Sequence, residues 1–160
     1  MGRSSIAAAL ALGAAALAAT PAQAELVSAA NPQKIKEIME SRGWPANLVM
    51  NAGEDPYIES DRDGLQFLVI FMNCTAGRNC RTLQYYMGFG AAKNVSLERF
   101  NEWNREKRFA RAYRSEKGAP VLEMDVDVDF KGIPRENLSE TFNTWAALMD
   151  SYRDFVFGDG

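Results

Sequence analysis

The chain contains no histidine and only two cysteines among its 160 residues. The lack of histidine excludes Ser-His-Asp and Cys-His nucleophile arrangements, and also zinc sites built on imidazole. No pair of carboxylates stands out from the other acidic residues as a general acid and base. We therefore predict no catalytic residue, no bound metal and no cofactor, and we expect a protein that is not an enzyme.

Positive charge is also scarce. The chain has 18 Lys and Arg residues against 21 Asp and Glu, and its formal net charge is −3. General nucleic-acid binders are normally basic overall, so we expect no nucleic-acid partner. The uncharged Ala/Leu run of residues 6–19 is too short and too alanine-rich to be a confident membrane span.

The first 24 residues have the features of a secretory signal peptide. Arg3 gives a positive start, an apolar run follows, and "PAQA" places Ala22 and Ala24 in an A-x-A cleavage pattern. No cysteine lies near the cleavage point, which argues against a lipoprotein anchor. We predict cleavage between Ala24 and Glu25 and a single domain over residues 25–160. Export of the Gram-negative type would make the protein periplasmic or secreted, without stable membrane insertion.

The two cysteines, Cys74 and Cys80, lie in "NCTAGRNC" between the apolar runs "LQFLVIFM" and "TLQYYMGF". A hairpin would bring such positions within the Cα separation that a disulfide requires, and an oxidising compartment favours the bond. A redox-active pair is the alternative, but the spacing lacks the C-x-x-C form that lowers a thiol pKa. We predict a structural disulfide.

Apolar periodicity predicts an α+β fold, with a mostly antiparallel sheet covered by helices on one face. A helix begins at Asn31–Pro32, and Ser96 is a candidate cap for a second helix. Further segments are two short strands within 45–60, strands over 65–72 and 82–89, a strand pair over 108–114 and 120–130, and a helix from 134 to about 156.

Residues 125–136, "DVDVDFKGIPRE", have the acidic spacing of an EF-hand calcium loop. Alternation favours a strand instead, because Met124, Val126 and Phe130 fall on one face. The loop also needs glycine at the place of Phe130, a residue that disfavours positive φ. We predict a strand followed by a helix from Pro134, with Glu136 in its first turn and no calcium.

The register of the last hairpin follows from its turn. A turn centred between Lys117 and Gly118 places Arg108 opposite Asp127, and it puts Phe109 and Tyr113 on the buried face. Glu123, Asp125, Asp127 and Asp129 then form a solvated acidic row with some basic neighbours. Whether this row faces a basic partner is left open.

The strings "LERFNEWNREKRFARAY", "CRTLQYYMGF", "VLEMDVDV" and "ENLSETF" resemble the YbjN family of bacterial proteins over about residues 32–157. The resemblance implies a fold similar to type III secretion chaperones, a regulatory role without established enzymatic activity, and two cysteines around a hairpin turn in secreted members. The chaperone analogy also implies a homodimer as one arrangement. The predicted export departs from a cytoplasmic regulatory role.

The most distinctive block of that resemblance contains Asn101, Trp103, Asn104 and Arg108. Trp103 is expected in the core. Asn101 and Asn104 either satisfy backbone groups near the helix end or contact a peptide or ligand, and with Arg108 they are our candidate binding residues. The sequence therefore favours a non-enzymatic binding or chaperone-like protein with a protein or peptide partner. The alternative is a sensor of a small ligand or ion.

The disulfide gives a direct test. If Cys74 and Cys80 are paired, alkylation of the unreduced, denatured protein leaves its intact mass unchanged, because only a free thiolate reacts. Alkylation after reduction serves as the control and adds two groups. Two groups added before reduction would contradict the prediction.

Overall fold

The structure, a computed structural model, describes residues 24–90 and 95–158. The predicted signal peptide lies outside the described residues except for Ala24. The elements in chain order are β1 (Leu26–Val27), α1 (Pro32–Ser41), β2 (Ala46–Val49), β3 (Tyr57–Arg62), β4 (Leu65–Met72), β5 (Thr82–Gly88), α2 (Leu97–Glu106), β6 (Arg111–Arg114), β7 (Pro120–Asp127), β8 (Ile133–Pro134) and α3 (Arg135–Phe157).

Strands β2 to β7 form one six-stranded sheet in the order β2-β3-β4-β5-β7-β6, and all of its pairs are antiparallel. The short strands β1 and β8 pair separately, a pairing that the sequence did not suggest. The α+β class and the antiparallel sheet are as predicted. Each strand of the main hairpins also falls within two residues of its predicted bounds, except β6 and β7, which are shorter.

The helices begin where the sequence indicates. Asn31 Oδ1 accepts a hydrogen bond from Lys34 N, and Ser96 Oγ accepts one from Arg99 N. These bonds satisfy backbone N–H groups that have no partner within the helix. Glu136 lies in the first turn of α3, where the helix dipole favours an acid.

Helix α3 covers one face of the sheet with aromatic side chains. The ring of Tyr85 lies 5.7 Å from that of Phe142 and 5.6 Å from that of Trp145, and Phe67 lies 6.3 Å from Trp145. Such contacts contribute about 0.5–1.5 kcal/mol per pair beyond the burial of apolar area. At the edge of this core, Arg62 donates to both carboxylate oxygens of Asp150 at 3.0 Å and so ties β3 to α3.

The other helices gather on the same side as α3. Trp44, just after α1, packs edge-on against Phe67 and Phe142. Trp103 of α2 is buried, as predicted, and contacts Tyr152 and Phe155 of α3. The core therefore lies between the three helices and one face of the sheet.

The predicted register of the β6–β7 hairpin is wrong by one residue. Arg111 pairs with Glu123 and Tyr113 with Val121, whereas Ala112 is buried. Ser115 N donates to Ala119 O, so the loop has three residues, and Gly118 closes it at a φ of +83°. A slip of one residue moves every side chain to the other face. Tyr113 accordingly leaves the predicted buried face.

Two aromatic residues and one acid also lie elsewhere than predicted. Strand β7 ends at Asp127, so the alternation of buried and exposed side chains does not continue through the residues that follow. Phe130 is 96% exposed and has a φ of 58°. Phe130 thus adopts the left-handed conformation that phenylalanine was expected to avoid, and that prediction was wrong. Phe109 precedes β6 and is 66% exposed. Glu123, expected in a solvated row, is buried.

The three-residue loop makes a stability prediction. Gly118→Ala should lower the free energy of unfolding by about 1 kcal/mol, because an L side chain in the left-handed region costs about 1–2 kcal/mol and stiffening of the unfolded chain offsets part of that. Gly118→Asn should retain most of the stability, because asparagine tolerates this region.

Urea denaturation followed by circular dichroism gives the comparison. Gly90→Ala is the control, since Gly90 has no positive φ and open space around an added Cβ. Equal stabilities of Gly118→Ala and the wild type would contradict the assigned loop and its register.

Candidate functional site

The sheet face opposite α3 carries no helix among the described residues. Its side chains alternate with the buried ones, and all of those used below except Glu123 are half-buried or exposed. We call this surface the open face. It comprises Tyr57, Glu59 and Asp61 of β3; Gln66, Leu68, Ile70 and Met72 of β4; Thr82, Gln84 and Tyr86 of β5; Glu123, Asp125 and Asp127 of β7; and Arg111 and Tyr113 of β6.

An apolar strip crosses the middle of the open face. Leu68 lies directly opposite Tyr86, and Tyr57 lies directly opposite Ile70. Side chains of directly opposed residues in antiparallel strands touch, so these four form a continuous surface. All four are half-buried. Contiguous apolar side chains on a protein surface are typical of an interaction site.

Carboxylates flank the strip on both sides. Glu59 and Asp61 lie on the β3 side, and Asp125 and Asp127 lie on the β7 side and are exposed. Arg111 is the single cation among the residues that define the open face. The acids create a negative potential over the surface, which attracts cationic groups and repels anionic ones.

The buried acid of this face is held in a hydrogen-bonded network. Arg111 Nε and Nη2 donate to Glu123 Oε2 at 2.9 and 2.6 Å, and Tyr113 OH donates to Oε1 at 2.6 Å. The Glu123 side chain is 8% exposed, whereas that of Arg111 is 61% exposed. Arg111 therefore compensates the charge of Glu123. The charges of the neighbouring acids on the open face remain mostly uncompensated.

The network also changes the acidity of the phenol. Burial, and then the hydrogen bond to Glu123, raise the pKa of Tyr113 to about 12. Tyr113 is thus a neutral donor at physiological pH. These three donated hydrogen bonds hold the Glu123 carboxylate in place on the sheet.

At the β2–β3 end the open face becomes concave. A depression of about 790 Å³ lies there, and its floor and walls include Leu68 and Tyr86 together with polar groups. The polar residues that line it are Glu40, Asn47, Glu59, Ser60, Asp61 and Gln66. This depression could hold a side chain of a bound protein or a small molecule with cationic groups.

The residues that the sequence singled out lie away from the open face. Asn104 donates to Ala112 O at 3.0 Å and accepts from Ala112 N at 2.8 Å, so it caps the outer edge of β6. The side chain of Asn101 is exposed and forms no hydrogen bond within the described part of the chain. Arg108 is exposed and stacks over Phe109 at 4.7 Å. Their role in binding stays a prediction.

The sequence did contain a signal for the open face. In "LQFLVIFM" both alternating sets are mostly apolar, although an antiparallel sheet with one solvated face would alternate with polar residues. Leu68 and Ile70 are therefore the unexpected residues. The Arg111–Glu123–Tyr113 network was not predicted, because it depends on the hairpin register.

Cys74 and Cys80 form a disulfide across the β4–β5 connection. Over residues 24–90 and 95–158, no group of three or more His, Cys, Asp or Glu side chains is placed to hold a metal ion. The helices in the same ranges include none with the length and apolar character needed to cross a membrane.

The network gives a testable stability effect. Tyr113→Phe removes a hydrogen bond to a charged acceptor, which contributes about 1.5–3 kcal/mol when well buried. Because Tyr113 is half-buried, we expect a loss of about 1–2 kcal/mol at pH 7. Tyr57→Phe is the control, since its hydroxyl makes no hydrogen bond to any described residue, and it should have almost no effect.

The effect should depend on pH. The unfolded chain ionises Tyr113 near its ordinary pKa of about 10, whereas the folded protein ionises it near 12. The stabilisation is therefore complete below pH 10 and declines as the pH rises towards 12. Urea denaturation of wild type and Tyr113→Phe at several pH values measures this difference. A constant difference between pH 8 and pH 11.5 would contradict the network.

Comparison with known proteins agrees with the resemblance noted in the sequence. No curated protein and no solved structure matches the chain significantly. The model of the YbjN family, described as "putative bacterial sensory transduction regulator", matches residues 31–157. That range contains all three helices and the whole six-stranded sheet. The chain therefore belongs to the YbjN family.

Proposed function

We propose that this protein is a non-enzymatic regulatory protein of the periplasm that acts by binding a protein or peptide segment on its open face. The observation that carries the proposal is the apolar strip between two acidic borders. Leu68, Ile70 and Tyr86 lie on a sheet face that the protein's own described helices leave uncovered. The description of the family as a "putative bacterial sensory transduction regulator" is compatible with a regulatory role of this kind.

The two parts of the surface have different effects on binding. Removal of the apolar strip from water contributes free energy in proportion to the area covered, at about 25 cal/mol per Å². The acids contribute less to affinity but select the partner, because a negatively charged segment would be repelled. The open face thus favours a segment that carries both apolar and basic side chains.

The location in the periplasm has its own support. Disulfides persist in oxidising compartments and are rare in the bacterial cytosol. The Cys74–Cys80 bond therefore agrees with the export that the N-terminal sequence predicts. A contact made there would report on the cell envelope.

A second function has one observation in its favour. The depression of about 790 Å³ falls within the range of about 300–1,000 Å³ typical of small-molecule sites. A sensor of a small cationic ligand could use Glu59 and Asp61 at its wall. An ion such as calcium would raise the melting temperature by mass action, so an unmoved transition at millimolar calcium excludes that version.

Site-specific photo-crosslinking in living cells tests the proposed function. A photoreactive amino acid at Ile70 or Gln84 lies on the open face, and one at Glu37 on the exposed side of α1 is the matched control. We expect the same protein to be captured from both open-face positions and not from position 37. Ile70→Lys should abolish its capture from position 84, because it places a charge in the apolar strip.

Mass spectrometry of the products identifies the captured protein. Capture at position 37 as strong as at positions 70 and 84 would contradict a binding role of the open face. The absence of any protein enriched above a mock bait would contradict the binding function itself.

A further inference from the structure

Strand β7 has neighbours on both sides along only half of its length. On one side β5 pairs with it from Val121 to Asp127. On the other side β6 pairs with it only from Pro120 to Glu123. Within the described part of the chain, residues 124–127 therefore have no strand on the β6 side, and we call this segment the free edge.

The ladder shows which backbone groups the free edge presents. Val128 N donates to Arg81 O and Phe89 N donates to Pro120 O, so even-numbered residues of β7 direct their N–H and C=O groups to β5. In an antiparallel ladder the alternate residues point the other way. Asp125 and Asp127 thus direct their N–H and C=O groups towards the free side, where no described residue forms a backbone hydrogen bond with them.

The chain turns away at the place where it would have covered this edge. Phe109, two residues before β6, has a φ of 72°, a left-handed conformation that aromatic residues seldom adopt. Backbone in such a conformation is often found at functional sites. The outer edge of β6 is closed instead, because Asn104 bonds both backbone groups of Ala112. Addition of a strand is therefore possible beside β7 but blocked at this point of β6.

A groove runs beside the free edge. It has a volume of about 410 Å³ and separates β7 from the N-terminal half of α3. Its apolar lining comes from Phe109, Met124, Val126 and Ile133. Helix α3 adds polar groups, which include Glu140, Thr141 and Thr144. An added strand would direct every second side chain into this groove and the others onto the open face beside Asp125 and Asp127.

We propose that the free edge binds an extended segment of a partner protein in which apolar and basic residues alternate. This inference rests on the proposed function and specifies its site and its partner. The backbone groups of Asp125 and Asp127 would hydrogen-bond the added strand, as in other strand-addition complexes. Its apolar side chains would fill the groove, and its basic side chains would meet the acids of the open face.

Charge selects this occupant over a second copy of the chain. Two free edges paired with each other would bring Asp125 and Asp127 against the same acids, and like charges directly opposite are destabilising. Asp125 is partly compensated, because its Oδ1 accepts from Gln84 Nε2 at 2.9 Å and its Oδ2 lies 3.8 Å from Arg111 Nη1. Among the described residues, the Asp127 carboxylate accepts a hydrogen bond only from the backbone N–H of Asp129. The acids could alternatively serve only to protect an exposed edge from aggregation.

The probe is a synthetic peptide with Lys-Val-Lys-Val-Lys between Gly-Ser flanks. The controls are Lys-Lys-Lys-Val-Val, which has the same composition without alternation, and Glu-Val-Glu-Val-Glu. Isothermal titration calorimetry should show about tenfold tighter binding of the alternating basic peptide than of either control. A factor of ten in affinity corresponds to a modest difference in binding free energy. Salt should weaken this binding, because it screens exposed charges.

Protein variants link the binding to the free edge. Asp125→Asn with Asp127→Asn keeps side-chain size and the bond to Asp129, and it should remove most of the preference for the basic peptide. The double change to Lys should transfer the preference to the acidic peptide. Glu37→Lys with Glu116→Lys makes the same change of charge at exposed positions outside the open face. It is the control and should leave the preference for alternation unchanged.

Amide resonances then locate the peptide. We expect the largest NMR shift changes at the N–H groups of Asp125 and Asp127. Absence of binding, or equal binding of the alternating and non-alternating peptides, would overturn the proposal and leave the acids as edge protection. Shift changes centred on Leu68 and Tyr86 instead would overturn strand addition while supporting the proposed function of the open face.

Discussion

The packing of α3 on one face of the sheet is the constraint on which the rest of the structure depends. Phe142 and Trp145 of this helix contact Tyr85 and Phe67 and bury the face that these two residues share. Because α1 and α2 gather on the same side, the opposite face receives no cover from the described helices. Its apolar strip and its acids remain available. The described chain thus builds one core and leaves one face of the six-stranded sheet without a helix.

Much of this fold could be predicted because local patterns determine it. Helical periodicity and the caps at Asn31 and Ser96 place the helices, and two-residue periodicity places the strands. The β6–β7 register could not be predicted in the same way, since Lys117–Gly118 fits a loop of two or of three residues. The hydrogen bond from Ser115 N to Ala119 O shows the three-residue loop, and the register of that loop places Tyr113 on the open face beside Glu123. Phe130 was misplaced because the alternation continues in the sequence after the strand has ended.

The composition of the open face was less predictable than the fold. The acidic alternation in "DVDVDF" indicated a row of acids on one face, and the apolar residues at positions 68 and 70 indicated that the same face is not purely polar. Neither pattern shows where β6 begins, because its first residue depends on the turn at Phe109 and on the hydrogen bonds between Asn104 and Ala112. The asparagine of the family block therefore closes one edge of the sheet, and its neighbour β7 remains open beyond Glu123. Tertiary contacts, and not periodicity, decide which edge can accept a strand.

A crystal structure of the protein with the partner captured in cells tests the central claim most directly, namely that the sheet is the contact surface. The account predicts that the partner covers Leu68, Ile70 and Tyr86, with an extended segment beside residues 124–127 and its basic side chains near Asp125 and Asp127. A partner bound to the outer surface of α1 or α3, with the open face and the free edge still exposed to solvent, would contradict it.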